Sequence, residues 1–218
     1  MPLQNRVDPF GTINAVAARC LFTGNRGVIH DPESRTLLGR RWSTRAWIVC
    51  DLVHPQGVTR QPMGRNAPAG GAGWTELFFL DEVTALAAGH RPCFYCRRDA
   101  AKAFAAAFAR GLGRDSVTAP QMDNILHGER LISGGGAPAL SPSEVRALPD
   151  GAVVAYGPNS YAMHDRKLLP WSFAGYGEVR APCRGLPRQA TLVTPSATIA
   201  ALAAGYRPAW HPTAARKT

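Results

Sequence analysis

Lysine is nearly missing from this chain. Of 25 basic residues among 218, only Lys102, Lys167 and Lys217 are lysines; the rest are arginines. A GC-rich coding sequence writes Arg for Lys, so the skew alone identifies no partner. Long apolar runs are missing too. Nothing approaches the roughly eighteen consecutive apolar residues a membrane helix requires, which excludes a helical span. The opening stretch "MPLQNRVDPFG" holds no apolar h-region, so no secretory signal is expected there. Five cysteines without that signal point to a reducing, cytoplasmic setting. There a Cys-x-x-Cys serves metal or redox chemistry rather than a structural disulfide.

Acidic residues are scarce as well, 15 against 25, for a net charge of +10. The excess sits at both ends. Residues 1–60 carry eight basic and four acidic side chains and 151–218 carry eight and two, while 111–150 carry three and five. Arginine contacts to phosphate dominate nonspecific nucleic-acid affinity, so this placement suits a polyanion-facing surface. A solvated basic face with no partner would give the same counts.

The length and a hydrophobic fraction of 45% suffice for one large domain or two small ones. The first forty-five residues read as turn-rich and irregular, with "TGNRG" and "HDPES" as loop signals. "AWIVCDLV" (46–53) and "TELFFL" (75–80) read as strands, joined by the flexible connection "MGRNAPAGGAGW" (63–74). Asp81 can cap a short helix, "EVTALAA", that Gly89 ends. "RDAAKAFAAAFARGLG", with Phe104 and Phe108 four apart, is a helix packed through one face, and another is expected over 121–131. "SPSE" (141–144) is a capping box opening a short helix. From Asp150 the pattern becomes a small antiparallel meander, then a strand and a helix with Thr194 as N-cap and Pro195 at its first position. The tail from Ala209 reads as a loose basic arm. The expected fold is α+β, with small antiparallel sheets and short helices, divided into residues 1–135 and 136–218.

One turn is written twice. "ALAAGHRP" at 85–92 matches "ALAAGYRP" at 201–208 in seven of eight positions, each copy following a strand and a helix. This suggests two related strand–helix–turn units, although "ALAAG" is also a common helix end in an Ala-rich chain. The first copy continues into "CFYC"; the second has Ala209 and Pro212 at the matching places and reads as structural.

Cys93 and Cys96 stand after a Pro-fixed turn and before a helix N-terminus. That spacing lets two thiolates share one tetrahedral ion, and the helix end favours their deprotonation. Arg97 and Arg98 fall at the same positive helix end, where cations call for an anion nearby. At these residues the chain resembles a family. "FFLDEVTALAAGHRPCFYCRRD" (78–99) is similar to the second half of the zinc-binding domain of Ada-type methylphosphotriester-repair proteins, an element that recurs in small zinc domains of DNA-acting proteins. The resemblance implies a zinc site on a DNA-contacting scaffold, with Cys93 and Cys96 as ligands and the flanking Arg91, Arg97 and Arg98 as candidate nucleic-acid contacts. DNA is then a more natural partner than RNA.

The family's first ligand pair is a Cys-x3-Cys, which this chain lacks. Its nearest analogue is Cys50 with His54. On a straight strand these side chains lie about 13 Å apart, at ~3.3 Å per residue. They share an ion only if the strand ends near Val53 and His54 turns back. Cys20, His30, His90 and His127 are the other candidates. Alkyl transfer does not carry over, because "APCRG" (181–185) lacks the activating His of the family's acceptor motif, which leaves Cys183 incidental. The segments "LQNRVDPFG", "GNRG", "TELFFLDE" and "LLPWSFAGYG" resemble a further bacterial family, a likeness that carries no activity.

Three functions compete. The first is a zinc-stabilised nucleic-acid-binding protein. The second is a metal-dependent nuclease of treble-clef or HNH type, drawing on "DNILHGER" (123–130), where Asp123 and His127 share a helix face. Helical charge decoration explains that segment equally simply. The third is thiol–disulfide exchange at "CFYC". Redox motifs of that kind follow a buried strand directly, whereas here a helix and a His-Arg-Pro turn are expected to precede the thiols.

Overall fold

Two adjacent carboxylates, Asp81 and Glu82, mark the point where the parts of this α+β fold meet. The computed structural model describes residues 1–57, 61–178 and 189–215. Its N-terminal part runs through β1 (Arg6–Val7), β2 (Ile13–Asn14), β3 (Phe22–Asn25), β4 (His30–Asp31), β5 (Thr36–Leu37), β6 (Ile48–Asp51) and β7 (Leu77–Phe79). Helix α1 (Glu82–Ala87), β8 (Arg91–Pro92) and helices α2 (Arg98–Gly111) and α3 (Ala119–Glu129) follow. The C-terminal part consists of β9 (Ala139–Leu140), α4 (Pro142–Ala147), β10 (Val153–Tyr156), β11 (Asn159–His164), β12 (Lys167–Ser172), β13 (Gly175–Tyr176), β14 (Ala190–Leu192) and α5 (Ser196–Ala203). No helix among the described residues is long and apolar enough to cross a membrane. Cys183 lies outside the described residues.

The first sheet has the order β2-β1-β7-β3-β6-β8 and the second β13-β12-β11-β10-β14-β9, with β4 and β5 as a separate hairpin. The second sheet is antiparallel, built on the expected meander. Its β11–β12 turn places Asp165 and Arg166 both at positive φ, the backbone that a two-residue hairpin turn of right-handed twist demands. In the first sheet two pairings are parallel, β1 with β7 and β6 with β8.

Several local expectations hold for local reasons. Asp81 caps α1 by accepting from Thr84 N–H at 2.9 Å, and Ser141 and Glu144 form the capping box of α4. The two ALAAG helix ends close with the same pair of bonds. His90 N–H reaches Ala85 O at 2.9 Å and Gly89 N–H reaches Leu86 O at 3.0 Å; Tyr206 and Gly205 do the same to Ala201 and Leu202. This is the left-handed helix stop that glycine permits, and Gly89 has φ +81. A Cβ on Gly89 would also stand 2.4 Å from Arg130 Cγ.

Other expectations are corrected. The first forty-five residues contain five short strands, three of which build the first sheet; strands two residues long carry no readable alternation. The 63–74 connection is anchored: Met63 is fully buried, and Asn66 Oδ1 accepts from Gly73 and Trp74 N–H. Thr194 does not cap α5. Its hydroxyl accepts from Val153 N–H at 2.8 Å, leaving Pro195 at the cap position. Through residue 215 the tail is no loose arm, and residues 216–218 lie outside the described residues. Ala209 N–H donates to Glu82 Oε2 at 2.8 Å, His211 N–H to Asp81 Oδ2 at 3.0 Å, and Ala214 is buried.

Helix α1 is buried along its whole length because both sheets use it. Ala85 and Ala88 pack on the first sheet with Leu77 and Phe79, while Leu80, Val83 and Ala87 pack on Val153, Ala162, Leu169 and Tyr176 of the second. Helices α2, α3 and α5 share a third core around Phe104, Phe108, Met122 and Tyr206. Each such buried side chain contributes about 2 to 3 kcal/mol.

Glu82 accepts from Arg97, Tyr206 Oη and Ala209 N–H. Removing it leaves the mostly buried Arg97 guanidinium with the more distant Asp51 as its sole carboxylate among the described residues. Glu82→Ala is therefore expected to cost about 3 to 5 kcal/mol in urea denaturation, and Tyr206→Phe about 1 kcal/mol. A loss below about 1 kcal/mol for Glu82→Ala would show that the junction carries little.

Candidate metal centre

Parallel pairing of β6 with β8 builds the centre. Arg91 N–H donates to Trp47 O at 3.1 Å and Cys93 N–H to Val49 O at 3.0 Å, so Cys93 leaves β8 beside Cys50. Val49 is fully buried in the sheet core, and alternation turns Cys50 to the other face. The chain then folds back on itself: Arg97 N–H donates to Cys93 O at 2.9 Å, and Tyr95 N–H points to Cys93 Sγ at 3.4 Å. Cys50, Cys93 and Cys96 are thereby brought together with their sulfurs all within 4.8 Å of one another. Two ligands on one ion at ~2.3 Å stand just under 4 Å apart in tetrahedral geometry, so a small rotation of the side chains admits a metal ion. The four described cysteines are free thiols.

Crowding three thiols splits their acidities. Hydrogen bonds from Cys50 and Cys96, with the amides of Cys96 and Tyr95, hold Cys93 well below the ordinary thiol range. Hydrogen bonding to Cys93 and Cys96, reinforced by burial, pushes Cys50 far up. In Cys96 the bond with Cys50 lowers the pKa, but the bond with Cys93 and burial outweigh it and the net shift is upward. One sulfur is thus prepared as a thiolate, and a cation would relieve the other two.

His54 stands at the edge of this arrangement. Strand β6 ends at Asp51, and the chain turns so that His54 O accepts from Gly57 N–H. The imidazole lies 5.9 Å from the Tyr95 ring, and its Nδ1 accepts from Gln56 N–H at 3.2 Å. It is not among the ligand atoms clustered within 4.8 Å. The remaining candidates are placed elsewhere. His30 bonds Thr75 and Gly64 in the core. His90 is fully buried between Trp47 and Phe79 and accepts from Arg26 Nε. Burial, then the charges of Arg26 and Arg130, depress its pKa, so it is neutral. Cys20 is half-buried, its pKa raised by burial to about 11.

Of the arginines flanking the thiols, two point inward. Arg91 forms a two-bond pair with Asp123, both contacts at 2.8 Å. Arg97 forms a similar pair with Glu82 at 2.8 and 3.0 Å, reaches Asp51 at 3.3 Å and lies over the Phe22 ring. The anion expected beside this helix start is thus a carboxylate of the protein. Arg98 is exposed. Asp123 is buried, with both carboxylate oxygens bonded to Arg91.

Sequence reasoning missed Asp51, whose backbone hydrogen-bonds Cys96; its one signal is its place after Cys50. It also expected only a turn before the thiols, where β8 runs directly into Cys93. Among the described residues Leu52, Val53 and Tyr95, three of the exposed large apolar side chains, come from segments adjoining the thiols. Comparison with family models, curated proteins and solved structures finds no match.

Because Arg91 and Asp123 are buried together, Asp123→Ala is expected to destabilise by about 3 to 5 kcal/mol, and a double replacement by Met and Leu to recover most of it. Urea denaturation of the two single variants and the double variant measures this directly. Additive losses would show that the pair is not coupled.

Proposed function

We infer that this chain is a zinc-stabilised nucleic-acid-binding protein. The observation that carries the metal half is the closure of the Cys93–Cys96 turn by Cys50, a residue from a different strand. Sulfur-rich tetrahedral sites select zinc or iron–sulfur clusters, and a single closed site with one imidazole favours zinc. His54 supplies the fourth ligand. Its Nδ1 now accepts a hydrogen bond, which places the proton on Nε2. Ligation through Nε2 requires that bond to break, so the turn after Asp51 rearranges as the ion enters. The resemblance of 78–99 to the Ada-type zinc element supports the same site.

The nucleic-acid half rests on the net charge of +10, its placement, and that resemblance. DNA is the preferred partner. The role assigned to the ion is to hold β6 against β8, the pairing that brings Cys50 beside Cys93.

Metal analysis of the reduced protein is expected to find about one zinc per chain, lost with Cys50→Ser, Cys93→Ser or Cys96→Ser together with several kcal/mol of stability. Cobalt substitution reads the fourth ligand: His54→Ala should shift the visible bands while retaining a thiolate-rich spectrum. A metal-free, stably folded protein whose thiols oxidise reversibly would replace this reading with thiol–disulfide exchange. Nucleic-acid affinity should fall steeply with salt, and absence of binding at low salt would remove that half alone.

A further inference from the structure

A second feature lies away from the thiols. The loop before β6 reads "RRWSTRAW" (40–47), and with helix α3 it bounds an open cleft of about 500 Å³. The lining is Arg40, Trp42, Ser43, Thr44, Arg45 and His127. Every charged group in that lining is cationic. Among the described residues no carboxylate forms an ion pair with Arg40 or Arg45. Arg40 spends its Nε on Val28 O, and Arg45 donates to the neutral amide of Asn124 at 3.2 Å. The nearby acid of α3, Asp123, is taken by Arg91. His127 Nδ1 is buried without a hydrogen-bond partner.

The cleft is held in shape from behind by two buried cations. Arg26 O accepts from Ser43 and Thr44 N–H, and Arg130 Nη1 donates to Arg45 O at 3.0 Å. Both guanidinium groups lie against Trp47, at 4.1 and 4.2 Å, and Trp47 in turn contacts Trp42. Arg26 and Arg130 are fully buried, and each keeps one NH2 nitrogen without a partner. Burial, joined for Arg26 by the charge of Arg130, lowers their pKa values to about 9, so both remain charged at neutral pH. An indole, two exposed guanidinium groups and two hydroxyls thus share one concavity, shaped by main-chain bonds to buried Arg26 and Arg130, which Asp8 and Asp123 partly offset in charge.

We propose that this cleft is the nucleic-acid interface and that it takes a single strand, with one base stacked on Trp42 and the adjoining phosphates held by Arg40 and Arg45. An aromatic platform beside backbone cations is the arrangement that binds unpaired nucleotides with little sequence preference. A duplex keeps its bases stacked on each other and offers the cleft only phosphates. This assignment rests on the nucleic-acid reading above and moves its contacts from the arginines at the thiols to residues 40–45 and His127.

Fluorescence anisotropy of a labelled oligothymidylate against the full, metal-loaded chain at ~50 mM salt tests it. Trp42→Ala and Arg45→Ala should each weaken binding about tenfold, and Arg45→Ala should lower the salt slope by about one. Arg98→Ala should change affinity less than about twofold. Trp42→Phe, which preserves packing on Trp47, should retain much of the affinity, with circular dichroism confirming the fold of every variant. If the oligonucleotide binds but Trp42→Ala and Arg45→Ala match the wild type, the cleft assignment falls and the nucleic-acid reading stands. Equal affinity for the equal-length duplex, with the same losses, would overturn the stacking of an unpaired base. If neither form binds, both the assignment and the reading beneath it fail.

Discussion

The fold is fastened at the carboxylates of Asp81 and Glu82. Both are buried at the start of α1, and besides the local Thr84 cap on Asp81 each takes donors from distant parts of the chain: Asp81 from Tyr176 and His211, Glu82 from Arg97, Tyr206 and Ala209. Those donors belong to the second sheet, the helix after the thiols, the turn after α5 and the tail. Burying two neighbouring acids is costly unless each oxygen is satisfied. Here the hydrogen bonds come from the units that dock, so docking them and satisfying the two carboxylates are one event. Removing any donor leaves a carboxylate short inside the protein, which couples the two sheets more tightly than their apolar contact alone.

The thiol cluster depends on that junction. Arg97 stands one residue after Cys96, and its guanidinium is clamped between Glu82 and Asp51. The clamp fixes where α2 begins and hence where the second thiol of the pair is delivered. The cleft at Trp42 follows a similar logic with opposite charge, because buried Arg26 and Arg130 set the loop through main-chain bonds. In both places ionised groups in the interior hold backbone in position for more exposed ones.

What could be read from the chain was local. The Asp81 cap spans three residues, the Ser141 capping box likewise, and the glycine helix ends five or six; each was legible because its partners sit in one window of sequence. Cys93 and Cys96 were legible for the same reason. Cys50 was a weaker inference, since only β-pairing across the sheet brings it to them. The destinations of Arg91 and Arg97 were hidden, because Asp123 and Glu82 lie 32 and 15 residues away and a buried ion pair leaves no periodic trace. The tail looked loose for the same reason: its partner Glu82 stands 127 residues before Ala209. Two-residue strands such as β1 and β2 are defined wholly by what they pair with.

The separation of Cys50 from the Cys93–Cys96 turn has a topological consequence. Roughly forty residues of chain lie between them, and an ion held there closes that span into a ring. Closure entropy grows only with the logarithm of ring size, so a large ring shrinks the unfolded ensemble at little added cost if it lengthens further. Such a cross-link would open when the ligands are protonated or the ion is withdrawn, whereas a disulfide opens by reduction or thiol exchange. An ion there would therefore tie the anchored stretch between β6 and β7, with Met63 buried and Asn66 bonded to Gly73 and Trp74, into the same ring as the three sulfurs.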